Sequence, residues 1–256
     1  MFLPCWPHWY CAPEPGNAAI IQATLIGLLR AQTMVAAKVV FGGLLSVLAL
    51  TSPRAFAGEL AFGPDLDKAG WRVISFPGIT AASFKATGSS SLEVSTDSAA
   101  GLLCLSLGRA DWQDRKARWR WRVRQGAPAT DLTVRGADDR ALGIYFVFGS
   151  AEDAGKAPMA LLGSTTVTAL VYVFGGDKPR GRILPSPHMG ERGKFVVLRA
   201  ADAPKSVWMD EAVDLGADYV RAFARPASLL LAVIIMSDSD DTRTRNRADV
   251  ESLTLN

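Results

Sequence analysis

Three aspartates fall within four positions at Asp238-Ser239-Asp240-Asp241. Carboxylates are hard oxygen donors, and Asp238, Asp240 and Asp241 together can ligate a structural calcium ion. The run lacks the Asp-x-Asp-x-Asp-Gly pattern and later glutamate of the helix-flanked calcium loop. Arg243, Arg245 and Arg247 follow at once, and local ion pairs with them are the simpler use of these acids. A second acidic set is Asp138-Asp139-Arg140 with Asp210, Glu211, Asp214 and Asp218. Glycoside hydrolysis needs two carboxyl groups held about 5 Å or about 6.5–9.5 Å apart across a cleft. Abundance of acids does not establish that geometry. Asp138 and Asp139 read more simply as a turn into a strand, and Asp218 as an acid favoured by the dipole at the start of a short helix.

Aromatic side chains offer another chemistry, because sugars stack their apolar ring faces on aromatic planes. Trp119, Trp121, Tyr145, Tyr172 and Trp208 are the candidates. Trp119 and Trp121 alternate with Arg118, Arg120, Arg122 and Arg124, which puts both indoles on a buried strand face and the arginines on the other. Those arginines then need carboxylates on neighbouring strands, or an anionic ligand. The ligand-binding set that remains is Tyr145, Tyr172 and Trp208 with Asp138 and Asp139. Nucleophilic catalysis is poorly supplied: His188 is the one histidine beyond residue 57, and no G-x-S-x-G elbow is present. Cys104 sits in an apolar run and reads as a buried thiol, not a reactive one. Cys5 and Cys11 are too far apart to match a common metal or redox loop, and His8 adds little. No catalytic residue is assigned, and no cofactor beyond the calcium option.

The elements that would position these residues are strands. Period-two alternation or β-branched and aromatic runs mark Trp71–Phe76, Ser91–Thr96, Leu102–Leu107, Ala117–Arg124, Leu142–Phe148, Val167–Phe174, Lys194–Leu198, Ser228–Met236 and Asp249–Leu255. Ser228–Met236 is apolar from Leu229 on, as in a central strand covered on both faces. Gly149–Pro158 and Gly175–Gly193 read as loops, and Gly216–Ala224 as the one short helix. The expected fold is all-β, a two-sheet antiparallel sandwich.

An apolar fraction of 49% and a charged fraction of 21% are ordinary for a folded domain. Beyond residue 57 the chain carries 25 basic and 24 acidic side chains, a balance that argues against nucleic-acid binding. From Met34, a lysine, a twelve-residue apolar stretch (Val39–Leu50), Pro53 and Ala55-Phe56-Ala57 form a secretory signal layout. Residues 1–33 are expected to be an upstream extension, 34–57 the signal peptide, and 58–256 a single β-sandwich domain, periplasmic or secreted and not membrane-bound after cleavage.

Several segments in order, WRWRV at Trp119–Val123, DDRALGIYFVF at Asp138–Phe148, LVYVFGG at Leu170–Gly176, WMDEAVDLGADYVRAFA at Trp208–Ala224, AVIIMSDSDDT at Ala232–Thr242 and ADVESLTL at Ala248–Leu255, resemble the exported bacterial family DUF3047 over about residues 68–255. The resemblance implies a jelly-roll sandwich like galactose-binding-type carbohydrate modules, without established catalytic residues. The sequence departs from the family pattern at Gly143, where an arginine is expected to pair with the acids, so that pairing is expected to be altered or lost. The leading functional expectation is a non-catalytic module binding a carbohydrate or cell-envelope glycan. The alternatives are a glycan hydrolase or lyase using a carboxylate pair, and an envelope protein-interaction module.

Overall fold

The computed structural model describes residues 58–256. The segments 1–33 and 34–57, with Cys5, His8 and Cys11, lie outside the described residues.

Two sheets stack face to face. The larger one runs in the order β1 (Trp71–Ile74), β5 (Ala99–Ser106), β12 (Leu229–Asp238), β7 (Arg140–Gly149), β8 (Thr168–Phe174), β10 (Gly190–Arg199) and β9 (Ile183–Ser186), with β2 (Thr80–Ala81) also on β5. The smaller one runs β11 (Met209–Asp214), β6 (Lys116–Gln125), β13 (Arg245–Leu255), β4 (Ser91–Asp97) and β3 (Ser83–Ala86). The chain changes sheet between β2 and β3, β4 and β5, β5 and β6, β6 and β7, β10 and β11, β11 and β12, and β12 and β13, which is a jelly-roll path. The all-β sandwich expected from the alternation is therefore the fold.

The alternation in β6 works as read. Ala117, Trp119, Trp121 and Val123 are buried between the sheets. Trp119 packs edge-on to Trp121 at 5.4 Å and lies 5.7 Å from the ring of Tyr172, and Trp121 meets Phe174 at 5.6 Å. Offset and edge contacts of this kind stabilise beyond the area they bury. On the opposite face Arg122 pairs with Asp249 at 2.9 Å, Arg124 with Glu93 at 2.6 Å and Asp249 at 2.8 Å, and Arg120 with Asp210 at 3.8 Å. The arginine row is thus a cross-strand paired face.

The larger sheet is covered twice. Its inner face joins the inter-sheet core. Its outer face carries a second apolar cluster, including Cys104, Val147, Val171, Ile234 and Phe195, covered by Leu132, Leu161 and Leu184. This double cover explains the unbroken apolar runs of β7, β8 and β12. In β12 the pairing shifts between Leu230 and Ala232, which is how Leu231 and Ala232 come to share the outer cluster.

Three departures from the sequence reading matter for the site. The sheets are antiparallel except where β10 runs parallel to β8 and β2 to β5. Parallel neighbours cannot be joined by a hairpin, so the Gly175–Gly193 segment has to travel back along the sheet. It contributes β9 on the way, an edge strand that tolerates Pro185. The segment read as a Gly149–Pro158 loop leads into a helix, α1 (Pro158–Gly163), with proline at its start. The expected helix is α2 (Leu215–Phe223), capped by Asp214 through Ala217 N–H at 2.8 Å. Among the described residues no helix is long and apolar enough to cross a membrane.

Candidate functional site

Strand pairing brings two of the acidic sets together. β7 begins at Arg140 and β12 ends at Asp238, and the antiparallel register sets Arg140 opposite Asp238. Asp138-Asp139-Arg140 and Asp238-Ser239-Asp240-Asp241, about a hundred positions apart in the chain, therefore meet at one end of the larger sheet. Asn246, fully buried on β13, pins the junction: its Nδ2 donates to the carbonyls of Arg140 (3.2 Å) and Asp238 (2.7 Å) and to Ser237 Oγ (3.1 Å).

Arg140 is the centre of this junction and is 1% exposed. Its Nη1 donates to the Asp138 carbonyl at 2.5 Å and stands 3.5 Å from Asp138 Oδ2 and 3.6 Å from Asp238 Oδ2. Its Nη2 donates to Tyr145 Oη at 2.7 Å and lies against Met236 Sδ, while the guanidinium sits over the Phe195 ring. Burial opposes the charge on Arg140, but Tyr145, Asp238 and Asp138 together hold its pKa above the ordinary arginine value. The arginine pairing expected to be altered or lost at Gly143 is present in altered form. Arg140 supplies the guanidinium from three positions upstream, and a Cβ at Gly143 would stand 3.2 Å from Arg140 Nε.

The carboxylates around it differ in environment. For Asp138, burial raises the pKa, but a hydrogen bond from His188 and the Arg140 charge outweigh it and hold the group below its usual value. His188 Nε2 stands 3.1 Å from Asp138 Oδ2, with its ring more than half exposed. Asp238 is pushed up to about 9 by burial and by the neighbouring Asp240 and Asp139, against the pull of Arg140. Asp241 is also raised, by burial and then by Asp240 and Asp139. Asp139 is fully buried and accepts both Thr242 N–H (2.7 Å) and Thr242 Oγ1–H (2.5 Å) on Oδ2. The expected local neutralisation by Arg243, Arg245 and Arg247 does not occur. Arg245 pairs with Asp97 across the strands at 2.8 Å, and among the described residues no ion pair joins these arginines to Asp238, Asp240 or Asp241.

The junction forms one end of a pocket of about 590 Å³ on the outer face of the larger sheet. Leu102, Tyr145 and Met236 form its floor, on three different strands. Four separate segments make its walls: Phe76 and Ile79 before β2, Arg135 before β7, Met159 and Leu162 on α1, and His188 and Met189 between β9 and β10. Arg140, Asp238, Asp240 and Asp241 line it as well.

Of the residues expected to bind a ligand, Tyr145, Asp138 and Asp139 fall at or beside this pocket. Tyr172 does not. It is fully buried between the sheets, with its hydroxyl donating to Asp218 at 2.8 Å, and has no face to offer. Trp208 lies on the outer side of the smaller sheet, stacked under Arg120 and Arg122 at 4.9 and 4.5 Å, away from the pocket lining. Of the remaining acids, Glu211 is a buried structural anchor that accepts from Arg199 (2.6 Å), Arg180 (3.0 Å) and Trp121 Nε1 (3.2 Å). The sequence reading did not anticipate the walls from α1 and the segment before β2. For Arg140 a signal was present: it is the one charged residue in the otherwise apolar stretch 140–149.

A family model described as "Protein of unknown function (DUF3047)" matches residues 69–254. No curated protein matches the sequence. Among solved structures, the chain resembles the xyloglucanase domain of NopAA, a type three effector from Sinorhizobium fredii, in complex with cellobiose. The identity is 9%, with 79% of this chain and 97% of that one covered and a TM-score of 0.42. It also resembles the family 11 carbohydrate-binding module of the cellulosomal cellulase Lic26A-Cel5E of Clostridium thermocellum, at 13% identity, 77% and 94% coverage and a TM-score of 0.39. Likenesses this distant carry no argument about activity.

Proposed function

Because the chain belongs to the DUF3047 family, whose description assigns no activity, we propose its function from the pocket: a non-catalytic module that binds a small glycan or the end of a longer one. The observation that carries this reading is the composition of the pocket. A volume of about 590 Å³ lies within the ~300–1,000 Å³ range of small-molecule sites. Its Leu, Met, Ile and Phe walls suit the apolar face of a sugar ring. The acids and arginines at its end suit hydroxyl groups, since carboxylates accept and guanidinium groups donate. Walls from four segments enclose it on several sides, which favours a chain end over a long polymer lying in a groove.

The hydrolase alternative needs a substrate between two carboxyl groups. Here Arg140 occupies the contact between Asp138 and Asp238 and engages both. The protein-interaction alternative needs a broad exposed apolar patch. Two of the exposed large apolar side chains, Ile79 and Met159, instead stand at the pocket wall. The proposed location, periplasmic or secreted, rests on the signal layout at residues 34–57.

The test is calorimetric titration of the purified protein with mono- and oligosaccharides and peptidoglycan fragments, after a glycan-array screen. Saturable binding that weakens tenfold or more in Met159→Asp, a half-exposed wall position, supports the reading. No binding across the panel, or turnover of a bound glycan, counts against it.

A further inference from the structure

We infer that Asp139, Asp238 and Asp240 hold a divalent cation of the calcium class at the polar end of the pocket. Each of the three can bring a carboxylate oxygen within 4.8 Å of the others. Oxygens around calcium stand ~2.3–2.6 Å from the ion, so opposed ones are roughly 4.6–5.2 Å apart. Three oxygens with this spread fit around one ion.

A group of acids alone would say little, because acids are usually satisfied locally. Here two of them are not. Oδ1 of Asp139 and Oδ1 of Asp238 are buried with no hydrogen-bond partner, in residues only 0% and 7% exposed. A buried polar oxygen without a partner is unfavourable. Thr242 fixes Asp139 by occupying Oδ2 twice, which leaves Oδ1 as the free donor. Such fixing of a ligand by an outer hydrogen bond is typical of ion sites.

The charge balance points the same way. Asp138, Asp139, Asp238, Asp240 and Asp241 gather around Arg140 and His188, and the three arginines that follow in sequence pair elsewhere or not with these acids. All donors in the set are carboxylate oxygens, with no thiol or imidazole among the three, which selects a hard cation over zinc or copper. Asp238 and Asp240 also line the pocket, so the remaining coordination positions face its interior. The inference stands whether or not the pocket takes a glycan.

The experiment uses the full chain, stripped with EDTA and titrated with CaCl2 by calorimetry, with MgCl2 and MnCl2 in parallel. One ion per chain is expected to bind. The melting temperature should rise by roughly 5 °C or more at a hundredfold excess over Kd. Asp240→Asn, at a half-buried position that leaves the fold intact, should weaken binding about tenfold or more, because affinity follows the ligand charge count. Asp139→Asn should do the same, and Asp210→Asn, on the other sheet, should not. Absence of saturable binding of all three ions up to ~5 mM, where extracellular modules are still occupied, overturns the inference. So does binding of equal strength in wild type, Asp139→Asn and Asp240→Asn. The melting shift of the wild-type protein decides the matter if a variant does not fold.

Discussion

Replacing Glu211 with glutamine is expected to destabilise the domain by about 3 kcal/mol without touching the pocket. The side chain of Glu211 is fully buried on the edge strand of the smaller sheet. One oxygen accepts from Arg199, at the end of β10 in the other sheet, and from the Trp121 indole; the other accepts from Arg180. Hydrogen bonds to charged groups contribute about 1.5–3 kcal/mol each. The Arg180 contact is discounted, since that side chain is 51% exposed and water screens it. Glutamine keeps one acceptor and the volume but turns an amide N–H2 toward a guanidinium. The expected loss is therefore at the lower end of the ~3–5 kcal/mol that follows removal of one partner from a buried ion pair. For a domain of this size that lowers the melting temperature by about 6–12 °C. Urea denaturation should show a lower midpoint with an unchanged slope. A loss under about 1 kcal/mol would refute the reasoning, because it would mean that the carboxylate is hydrated in solution. A folded variant that no longer binds calcium would refute it from the other side, since Glu211 is not part of that pocket.

Two further outcomes follow from buried groups. Burial pushes the Cys104 thiol up to about 11, so at pH 8 a thiol reagent should label Cys104 only as fast as the domain unfolds; rapid labelling of Cys104, read by peptide mapping apart from Cys5 and Cys11, would contradict the second apolar cluster. Asp153 accepts from Ser150 N–H and Oγ, Lys156, Ser164 and Thr166. The Lys156 bond first, then the Ser150 N–H, holds its pKa well below its ordinary value of 3.8. A depressed native pKa means that the unfolded chain takes up the proton first. The stabilisation is thus complete above the ordinary value and is lost as pH falls below it. Asp153→Asn should cost about 2 kcal/mol at pH 7, and the gap to wild type should shrink between about pH 4 and pH 2. A gap that is constant with pH would show that charge plays no part.

The strands were legible because a one-sided or two-sided burial pattern is written in side-chain type. The Trp119–Val123 alternation and the unbroken apolar run of β12 both translate directly into position in the sandwich. The helix near 216–224 was legible from its one-sided apolar spacing. The site was legible only in pieces. Asp138 and Asp139 on one side, and Asp238 and Asp240 on the other, belong to one junction, but only the β7–β12 register joins them, and no local pattern encodes a register between strands so far apart. Tyr172 and Trp208 show the converse error. An aromatic ring says that a large apolar surface must be placed, and the same ring serves a core, a cation or a ligand. The α1 wall was missed because its six residues lack the length at which helical periodicity can be seen.

The position of β13 in the smaller sheet, between β6 and β4, bears on how the domain can be made. Residues 245–255 follow every other described strand in the chain, yet they stand between β6 and β4, which do not pair with each other. A nascent chain on the ribosome therefore holds two unfinished sheet edges until residues 245–255 have emerged. Such late, long-range pairing delays cooperative folding and keeps strand edges open to other chains in the meantime.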